Sequence, residues 1–160
     1  MSKLAICLWF NTEGEDAANH YVETFRGMRR EASIGTVGRY GPGMPGTEGA
    51  VMTVTFTLDG LEFMALNGGP NYTHSPATSF MVQCADQAEL DGFWERLLDG
   101  GKAIQCGWLV DRFGVSWQVV PLALERLISS GDQARTNRVM GAVMGMVKLD
   151  IAAMEKAAAG

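Results

Sequence analysis

One order of secondary-structure patterns occurs twice in this chain of 160 residues. Each copy begins with a strand, continues with an amphipathic helix and a glycine, and ends in further strand patterns. The helices are predicted at Glu15 to Arg26 and at Asp86 to Asp99. Three residues of the first copy have counterparts in the second at one constant sequence offset: Tyr21 with Trp94, Phe25 with Leu98, and Gly27 with Gly100. Such self-similarity predicts two βαβββ modules of one kind.

The first copy shows the strand patterns most clearly. Leu4 to Phe10 is a continuous apolar run, and Ala50 to Leu58 alternates between apolar and polar residues. Asp59-Gly60 is typical of a tight hairpin turn, and Leu61 to Leu66 then returns as the paired strand. These patterns predict an α+β fold.

The predicted organisation has three parts within one structural unit. The first βαβββ module covers residues 1–68, the second covers 77–121, and a helical extension covers 122–160. In the extension, Asp132 and Asp150 are placed as N-caps of two predicted helices. An apolar stripe of Thr136, Met140, Val143 and Val147 on the middle helix predicts packing on the body or on a second subunit.

Composition and charge exclude several classes of partner. The net charge is −5, with 13 basic and 18 acidic residues, and the basic residues form no cluster. Nucleic-acid and membrane partners are therefore not expected. No apolar run reaches the roughly 18 residues of a membrane span, and Met1 to Phe10 lacks the features of a signal peptide. The expected location is the cytoplasm.

The cysteines give no sign of a disulfide framework or of a structural zinc site. Cys7, Cys84 and Cys106 are odd in number and have no CxxC or Cys/His spacing. Reduced thiols are the expected state.

Three segments are similar to one known family: Leu8-Trp9-Phe10, the run GWLVDRFGVSWQ from Gly107 to Gln118, and Arg138-Val139-Met140. Together they resemble the PhnB-like, or 3-demethylubiquinone-9 3-methyltransferase-like, branch of the vicinal oxygen chelate superfamily. That superfamily includes glyoxalase I, bleomycin-resistance proteins, fosfomycin-resistance enzymes and extradiol dioxygenases. The resemblance implies that the paired modules form a cupped mixed sheet around a pocket, usually in a homodimer.

The resemblance also implies where a metal ion would be held. In metal-using relatives, His or Glu side chains converge from positions that correspond here to Ala5, Met64, Ser79 and Gln118. A catalytic divalent site needs about three nitrogen or oxygen side-chain ligands. Of these four residues only Gln118 could bind a metal well. We therefore expect neither a metal ion nor another cofactor.

The methyltransferase label finds little support in the motifs. Methyl transfer from S-adenosylmethionine normally uses a glycine-rich turn between a parallel strand and a helix. The sequence Gly41 to Gly46 matches GxGxxG, but it leads into the strand pattern Ala50 to Leu58. Phosphate binding by such a motif requires a helix N-terminus. We interpret Gly38 to Gly49 as a flap or crossover loop.

Strand alternation selects the candidate ligand-binding residues. Because successive side chains point to opposite faces, one face of each sheet meets the helices and the other faces the pocket. The predicted pocket residues are Cys7, Trp9, Ser79, Gln83, Trp108, Ser116 and Gln118. Trp9 would act as a stacking platform, and the polar side chains would orient the ligand.

Three functions remain open at this point. The leading hypothesis is a metal-independent binding protein for a small, partly aromatic or amphiphilic molecule. The alternative is an isomerase, lyase or transferase acting on a hydrophobic metabolite through Gln118 or Asp111, although the sequence identifies no catalytic residue. A third hypothesis makes the tail, Asp132 to Ala158, an interaction module. The pocket side chains could also simply fill the space between the sheets.

Overall fold

The computed structural model describes residues 4–160 and divides the chain into two compact units, Met1–His74 and Ser75–Gly160. Each unit contains one four-stranded mixed sheet with a helix on one face. Three further helices follow the second sheet. The predicted α+β fold of two βαβββ modules with a helical extension is confirmed.

The first unit contains β1 (Ile6–Phe10), α1 (Gly14–Gly27), β2 (Ala32–Arg39), β3 (Val51–Leu58) and β4 (Leu61–Asn67). The strands lie in the order β1-β4-β3-β2. β1 runs parallel to β4, and the other neighbours are antiparallel. A parallel pair needs a crossover, and α1 supplies it together with the β2–β3 hairpin. The turn at Asp59-Gly60 has positive φ angles of 47° and 80°, as a two-residue hairpin loop requires.

Alternation along the strands places the core of the first unit under α1. Leu8 and Phe10 of β1 are buried, as are Phe56 and Phe63 on β3 and β4. The rings of Phe56 and Phe63 stack with centroids 5.0 Å apart, and Tyr21 from α1 lies 6.2 Å from Phe56. Burying aromatic side chains of this size supplies much of the driving force for folding the unit.

The second unit repeats the arrangement with β5 (Ser79–Cys84), α2 (Gln87–Leu98), β6 (Lys102–Ala103), β7 (Trp108–Val110) and β8 (Ser116–Pro121). The strand order is β5-β8-β7-β6, and β5 runs parallel to β8. Leu109, Trp117 and Val119 are buried on the helix side, together with Leu90 and Phe93 of α2. Trp117 is therefore a core residue, as its position on the strand predicts.

The extension contains α3 (Leu122–Ile128), α4 (Gln133–Met144) and α5 (Ile151–Ala159). The carboxylates of Asp132 and Asp150 accept hydrogen bonds from the backbone N–H groups of Arg135 and Ala153, at 3.1 and 2.8 Å. Both predicted N-caps are confirmed. Within the described part of the chain, no helix has the length and apolar character of a membrane span.

The predicted apolar stripe of α4 is only partly buried within the second unit, where Val143 is buried as predicted. Packing of the stripe on a second subunit stays a prediction. The residues buried on this helix are Val139 and Val143, whereas Met140 is 37% exposed. The helix ends at Met144, so Val147 does not lie on it at all and is 46% exposed. The composition of the helix allows more than one apolar face, and its neighbours decide which face is buried.

The segment after α4 is hydrogen-bonded to the second sheet. The N–H groups of Cys106 and Gly107 donate to the carbonyls of Met146 and Val147, each at 2.8 Å. Leu149 is buried against Gly107, where an added Cβ would lie 3.1 Å from the leucine side chain. The extension is thus part of the second unit.

Candidate functional site

The first sheet keeps one face free of α1, and this face contains a cavity of about 270 Å³. Along β1, Cys7 is exposed and Trp9 half-buried, whereas Leu8 and Phe10 point to the helix. The predicted parity of β1 is therefore observed. Residues that line the cavity include Ala5, Ser33, Thr55, Thr57, Glu62 and Met64.

Hydroxyl groups form the polar part of this cavity. Ser33 Oγ and Thr57 Oγ1 lie 2.8 Å apart. The Thr55 hydroxyl accepts a hydrogen bond from the N–H of Thr36 at 2.7 Å, where the pairing of β2 with β3 shifts register. A Cβ on Gly35 would lie 2.5 Å from that hydroxyl, so the glycine makes room for it.

Trp9 contacts the loop that follows β4. Its indole N–H donates to the carbonyl of Gly69 at 2.8 Å, and Tyr72 packs edge-on against the ring at 5.0 Å. Gly68 lies directly on the ring, since an added Cβ would be 2.3 Å from it. The indole thus anchors residues 68–72, and its predicted stacking on a ligand stays a prediction.

Cys7 has none of the features of an activated nucleophile. Desolvation by its surroundings raises the pKa of the thiol above its ordinary value. A raised pKa lowers the thiolate fraction at neutral pH, and the thiolate is the reactive form. A contact role on the sheet face suits this residue better than covalent chemistry.

The second sheet brings four of the predicted residues together on the face opposite α2. In the register of the strands, Gln118 lies between Met81 and Trp108. Ser116 lies beside Ser79 in the next row, and the Gln118 amide donates to Ser79 Oγ at 2.9 Å. The resulting surface, defined as Ser79, Met81, Trp108, Ser116 and Gln118, is called the second-sheet face below.

Two members of the second-sheet face differ sharply in exposure. Met81 is 54% exposed. Ser116 is buried, and its hydroxyl has no hydrogen-bond partner within residues 4–160. Buried hydroxyls are normally paired, so this one is an exception that a buried water would satisfy. Gln83 is exposed and lies one row beyond, opposite Val120.

Asp111, which the enzyme hypothesis offered as a catalytic carboxylate, has a structural role. It is 4% exposed. One carboxylate oxygen accepts from the N–H groups of Phe113 and Val115 at 2.8 and 3.0 Å, and the other accepts from the Trp117 indole at 2.8 Å. These bonds hold the turn between β7 and β8. The carboxylate is therefore committed to the turn and unsuited to act as a base.

The residues at the four inferred metal positions do not fit a metal site. Ala5 and Met64 line the cavity of the first sheet and offer neither nitrogen nor a hard oxygen ligand. Ser79 and Gln118 are hydrogen-bonded to each other. Within residues 4–160, no three His, Cys, Asp or Glu side chains are grouped so that they could hold a metal ion.

The GxGxxG sequence lies in a β-hairpin. Gly41 to Gly46 belongs to the loop between the antiparallel strands β2 and β3. Its base is closed by the hydrogen bonds Tyr40 N–H to Ala50 O and Gly49 N–H to Tyr40 O, at 2.9 and 2.8 Å. No helix follows the motif, so the loop interpretation is confirmed.

The hydroxyl groups of the first sheet were not among the predicted site residues. The alternation of Thr53, Thr55 and Thr57 with apolar residues was visible in the sequence, and it could have assigned these threonines to the open face. The register shift near Gly35 depends on pairing between distant strands and has no local signal.

Comparisons with known proteins agree with this architecture. A family model described as 3-demethylubiquinone-9 3-methyltransferase matches residues 2–120, which ends just before α3. A solved structure from Bacillus cereus, described as a 3-demethylubiquinone-9 3-methyltransferase, PhnB protein, is 33% identical. That match has a TM-score of 0.67 and covers 75% of this chain and 99% of the other.

A protein from Pseudomonas aeruginosa is similar in fold. It is 18% identical with a TM-score of 0.61, and the match covers 76% of this chain and 98% of the other. None of the curated proteins matches the chain.

Proposed function

This chain belongs to the 3-demethylubiquinone-9 3-methyltransferase family, and within that family we propose that it binds a small, partly apolar molecule without using a metal ion. The resemblance of the sequence to the PhnB-like branch of the vicinal oxygen chelate superfamily is confirmed. Members of this fold family include both binding proteins and enzymes, so the family alone does not decide the activity.

The second-sheet face is the observation that carries the proposal. It combines an exposed methionine and a half-buried indole with the hydrogen-bonded pair Ser79–Gln118. Small-molecule sites typically present such a mixture, in which apolar groups supply binding energy and a few polar groups fix orientation.

The absence of suitable ligands at the inferred metal positions supports metal independence. A thioether, a methyl group and two side chains already hydrogen-bonded to each other are a poor set for a divalent ion. In a dinucleotide-binding fold, the glycine-rich turn joins a parallel strand to a helix. Here the glycine-rich segment joins the two antiparallel strands of a hairpin instead. The methyltransferase description therefore finds no support in the residues of this chain.

We also propose that the protein acts as a homodimer in the cytoplasm. The dimer is supported by the family resemblance, and the location is supported by the free thiols of Cys7, Cys84 and Cys106, which suit a reducing compartment. Native mass spectrometry gives the subunit number directly.

The first experiment is native mass spectrometry with elemental analysis of protein purified without added metal. We expect well below one divalent metal ion per chain, whether or not a small molecule is retained. A stoichiometric divalent ion would contradict metal independence. The result also shows whether catalysis assisted by a metal must be considered.

Binding is then measured with the neutral apolar dye Nile red. We expect Trp108→Ala to weaken dye binding at least about tenfold, because it removes the largest apolar contact of the face. Gln118→Ala should weaken dye binding less than Trp108→Ala does, and it should change how well more polar analogues of the dye bind. The matched control is Met144→Ala, which removes an exposed apolar side chain of the second unit outside the face. Equal losses for Trp108→Ala and Met144→Ala would reject the face as the site.

A further inference from the structure

A second and larger cavity lies in the first unit, beyond the carboxyl ends of the parallel strands β1 and β4. Its volume is about 460 Å³, within the usual range of small-molecule sites. The walls are the first turn of α1, the loop from Tyr40 to Ala50, and Gly68-Gly69. It shares no lining residue with the cavity on the open face of the first sheet.

Buried hydrogen bonds hold these walls in place. Asn67 is 8% exposed, and its side chain accepts from the N–H of Gly14 at 2.7 Å and donates to the carbonyl of Val51 at 3.1 Å. The Tyr40 hydroxyl donates to the Asn67 carbonyl at 2.5 Å. Gly46 lies against the Tyr40 ring, since an added Cβ would be 2.4 Å from it. The loop therefore forms a preformed roof over the cavity.

The lining combines hydrogen-bonding groups with apolar surface. The polar side chains are the amide of Asn11, the hydroxyls of Thr12 and Thr47, and the carboxylates of Glu15 and Asp16. Tyr40, Pro45, Ala50 and Val51 supply the apolar part. No lysine, arginine or histidine occurs among the described residues that line the cavity.

This lining discriminates between classes of ligand. A phosphate or carboxylate would be repelled by Glu15 and Asp16 without a compensating cation. A hydrocarbon would desolvate the polar groups without pairing them. The two full negative charges of Glu15 and Asp16 exceed the partial positive charge of the α1 N-terminus, about +0.5, so the lining tolerates a positively charged group. Hydroxyl groups can donate to the carboxylates and also accept from the amide and hydroxyl side chains.

We propose that this cavity is a binding site for a small polyhydroxylated molecule of the sugar or cyclic polyol type that carries no negative charge. The hydroxyls of the ligand pair with Glu15, Asp16, Asn11 and the threonines, and its C–H faces contact Tyr40 and Pro45. The site is independent of the second-sheet face, so it goes beyond the function proposed above.

Three probes that share one ring test the chemistry: glucose, glucosamine and glucose 6-phosphate. Each is titrated into 15N-labelled protein while the backbone amide shifts are followed. We expect glucose to shift the amides around the cavity, with a Kd on the order of 1–10 mM for so small a ligand. Glucosamine, whose amino group is largely protonated at neutral pH, should bind as tightly as glucose or up to about tenfold more tightly. Glucose 6-phosphate should bind at least about tenfold more weakly than glucose.

The paired variant Glu15→Gln with Asp16→Asn should weaken glucose binding at least about tenfold, because both charged acceptors are lost. Thr47→Val, on the roof, is a second variant that leaves α1 untouched and should weaken binding about threefold or more. Glu23→Gln is the control, since it removes the same charge from the exposed side of α1. It should retain the affinity within about twofold.

Several results would overturn the proposal. Glucosamine binding more than tenfold tighter than glucose would make the cavity a simple cation site. Tighter binding of glucose 6-phosphate would make it an anion site at the helix N-terminus. Shifts for none of the three probes, or glucose binding unchanged by both cavity variants, would also reject it.

Discussion

The two units share one order of strands but support their middle hairpins differently. In the first unit β2 and β3 are eight residues each, and a long loop joins them. In the second unit β6 has two residues and β7 has three. There the segment after α4 hydrogen-bonds to the turn before β7, and Leu149 packs against Gly107. A repeated fold can thus stabilise equivalent strands by long cross-strand pairing or by an added segment.

This difference has a consequence for binding. The long hairpin of the first unit leaves a loop free to roof a cavity, and its polar lining comes from α1 and the loop. The short hairpin of the second unit leaves its polar groups on the sheet itself, at Ser79 and Gln118. The first unit therefore presents hydrogen-bonding groups both on its sheet and beside its long loop, whereas the second unit presents them on its sheet.

Removal of the segment after α4 should give the largest effect. A chain ending at Gly145 loses Leu149 and Met154, which are fully buried, and the two backbone hydrogen bonds to Cys106 and Gly107. Each buried side chain contributes about 2–5 kcal/mol on removal, so we expect a loss of about 5 kcal/mol or more. Hydrogen exchange should show reduced protection in β7 and β8 while β3 and β4 stay protected.

The control for that truncation is Met144→Ala, because Met144 is 64% exposed. We expect it to change stability by less than about 0.5 kcal/mol. If the truncated chain kept the protection of β7, the extension would not be the support of the short hairpin.

The equivalent turns of the two units should also respond differently. Asp111→Ala leaves the N–H groups of Val115 and Phe113 and the Trp117 indole without their acceptor. We expect a loss of about 3–5 kcal/mol in urea unfolding. Asp59 occupies the corresponding turn, where it forms an ion pair with Arg30 at the surface. Asp59→Asn keeps a residue that tolerates positive φ, so we expect a loss below about 1 kcal/mol.

Asp111→Asn refines this comparison. It keeps one oxygen for the backbone N–H groups but turns an amide N–H₂ toward the indole donor, so an intermediate loss of about 1–3 kcal/mol is expected. If Asp111→Ala cost no more than Asp59→Asn, the carboxylate would not be needed by the turn. It would then return as a candidate for chemistry.

Much of the fold could be predicted because its signals are local and repeated. Alternation in β1, β5 and β8 assigned the buried and open faces correctly, and Asp132 and Asp150 were identifiable as caps. The buried side of α4 was only partly predictable, since Val139 and Met140 are both apolar and only the packing neighbours decide that Val139 is the buried one. Local patterns specify elements, whereas contacts between distant segments select among their faces.

The candidate sites show the same limit. Strand parity placed Ser79, Ser116 and Gln118 on one face before the structure was known. The role of Asp111 could not be foreseen, because its three donors lie up to six residues away around a turn. The larger cavity depends on Asn67 of β4. Its side chain is hydrogen-bonded to Gly14, which lies 53 positions away in the sequence, and to Val51, which lies 16 positions away. No window along the sequence contains that information.

The helix N-termini give a smaller test of long-range against local support. Asn67 accepts from the first N–H of α1, whereas α2 is capped by the adjacent Asp86. Asn67→Ala also leaves the Val51 carbonyl without its hydrogen-bond donor, so we expect the free energy of unfolding to fall by about 2–3 kcal/mol. Asp86→Ala should cost about 1 kcal/mol, as usual for an N-cap. Chemical denaturation of both variants gives the comparison, and equal losses would contradict it.

The smallest effect is expected at the ion pair that ties α2 to the extension. Hydrogen bonds from Lys148 first and Gln87 second lower the pKa of Asp91 below its ordinary value. Because the pKa is lower in the folded state, the stabilisation is present above the ordinary Asp value of about 3.9 and is lost as pH falls through the lowered pKa.

This pH dependence can be isolated with Asp91→Asn. Lys148 Nζ lies 2.8 Å from the Asp91 carboxylate, but both side chains are more than a third exposed, so solvent screening limits the difference to below about 1 kcal/mol. Unfolding free energies measured from pH 6 to pH 2 should show the parent chain more stable at pH 6. The two chains should converge at the acid end. Glu95→Gln, on the exposed side of α2, is the charge-matched control. The difference in unfolding free energy between the parent chain and Asp91→Asn could instead stay constant with pH. The pair would then support the short hairpin through its geometry and not through its charge.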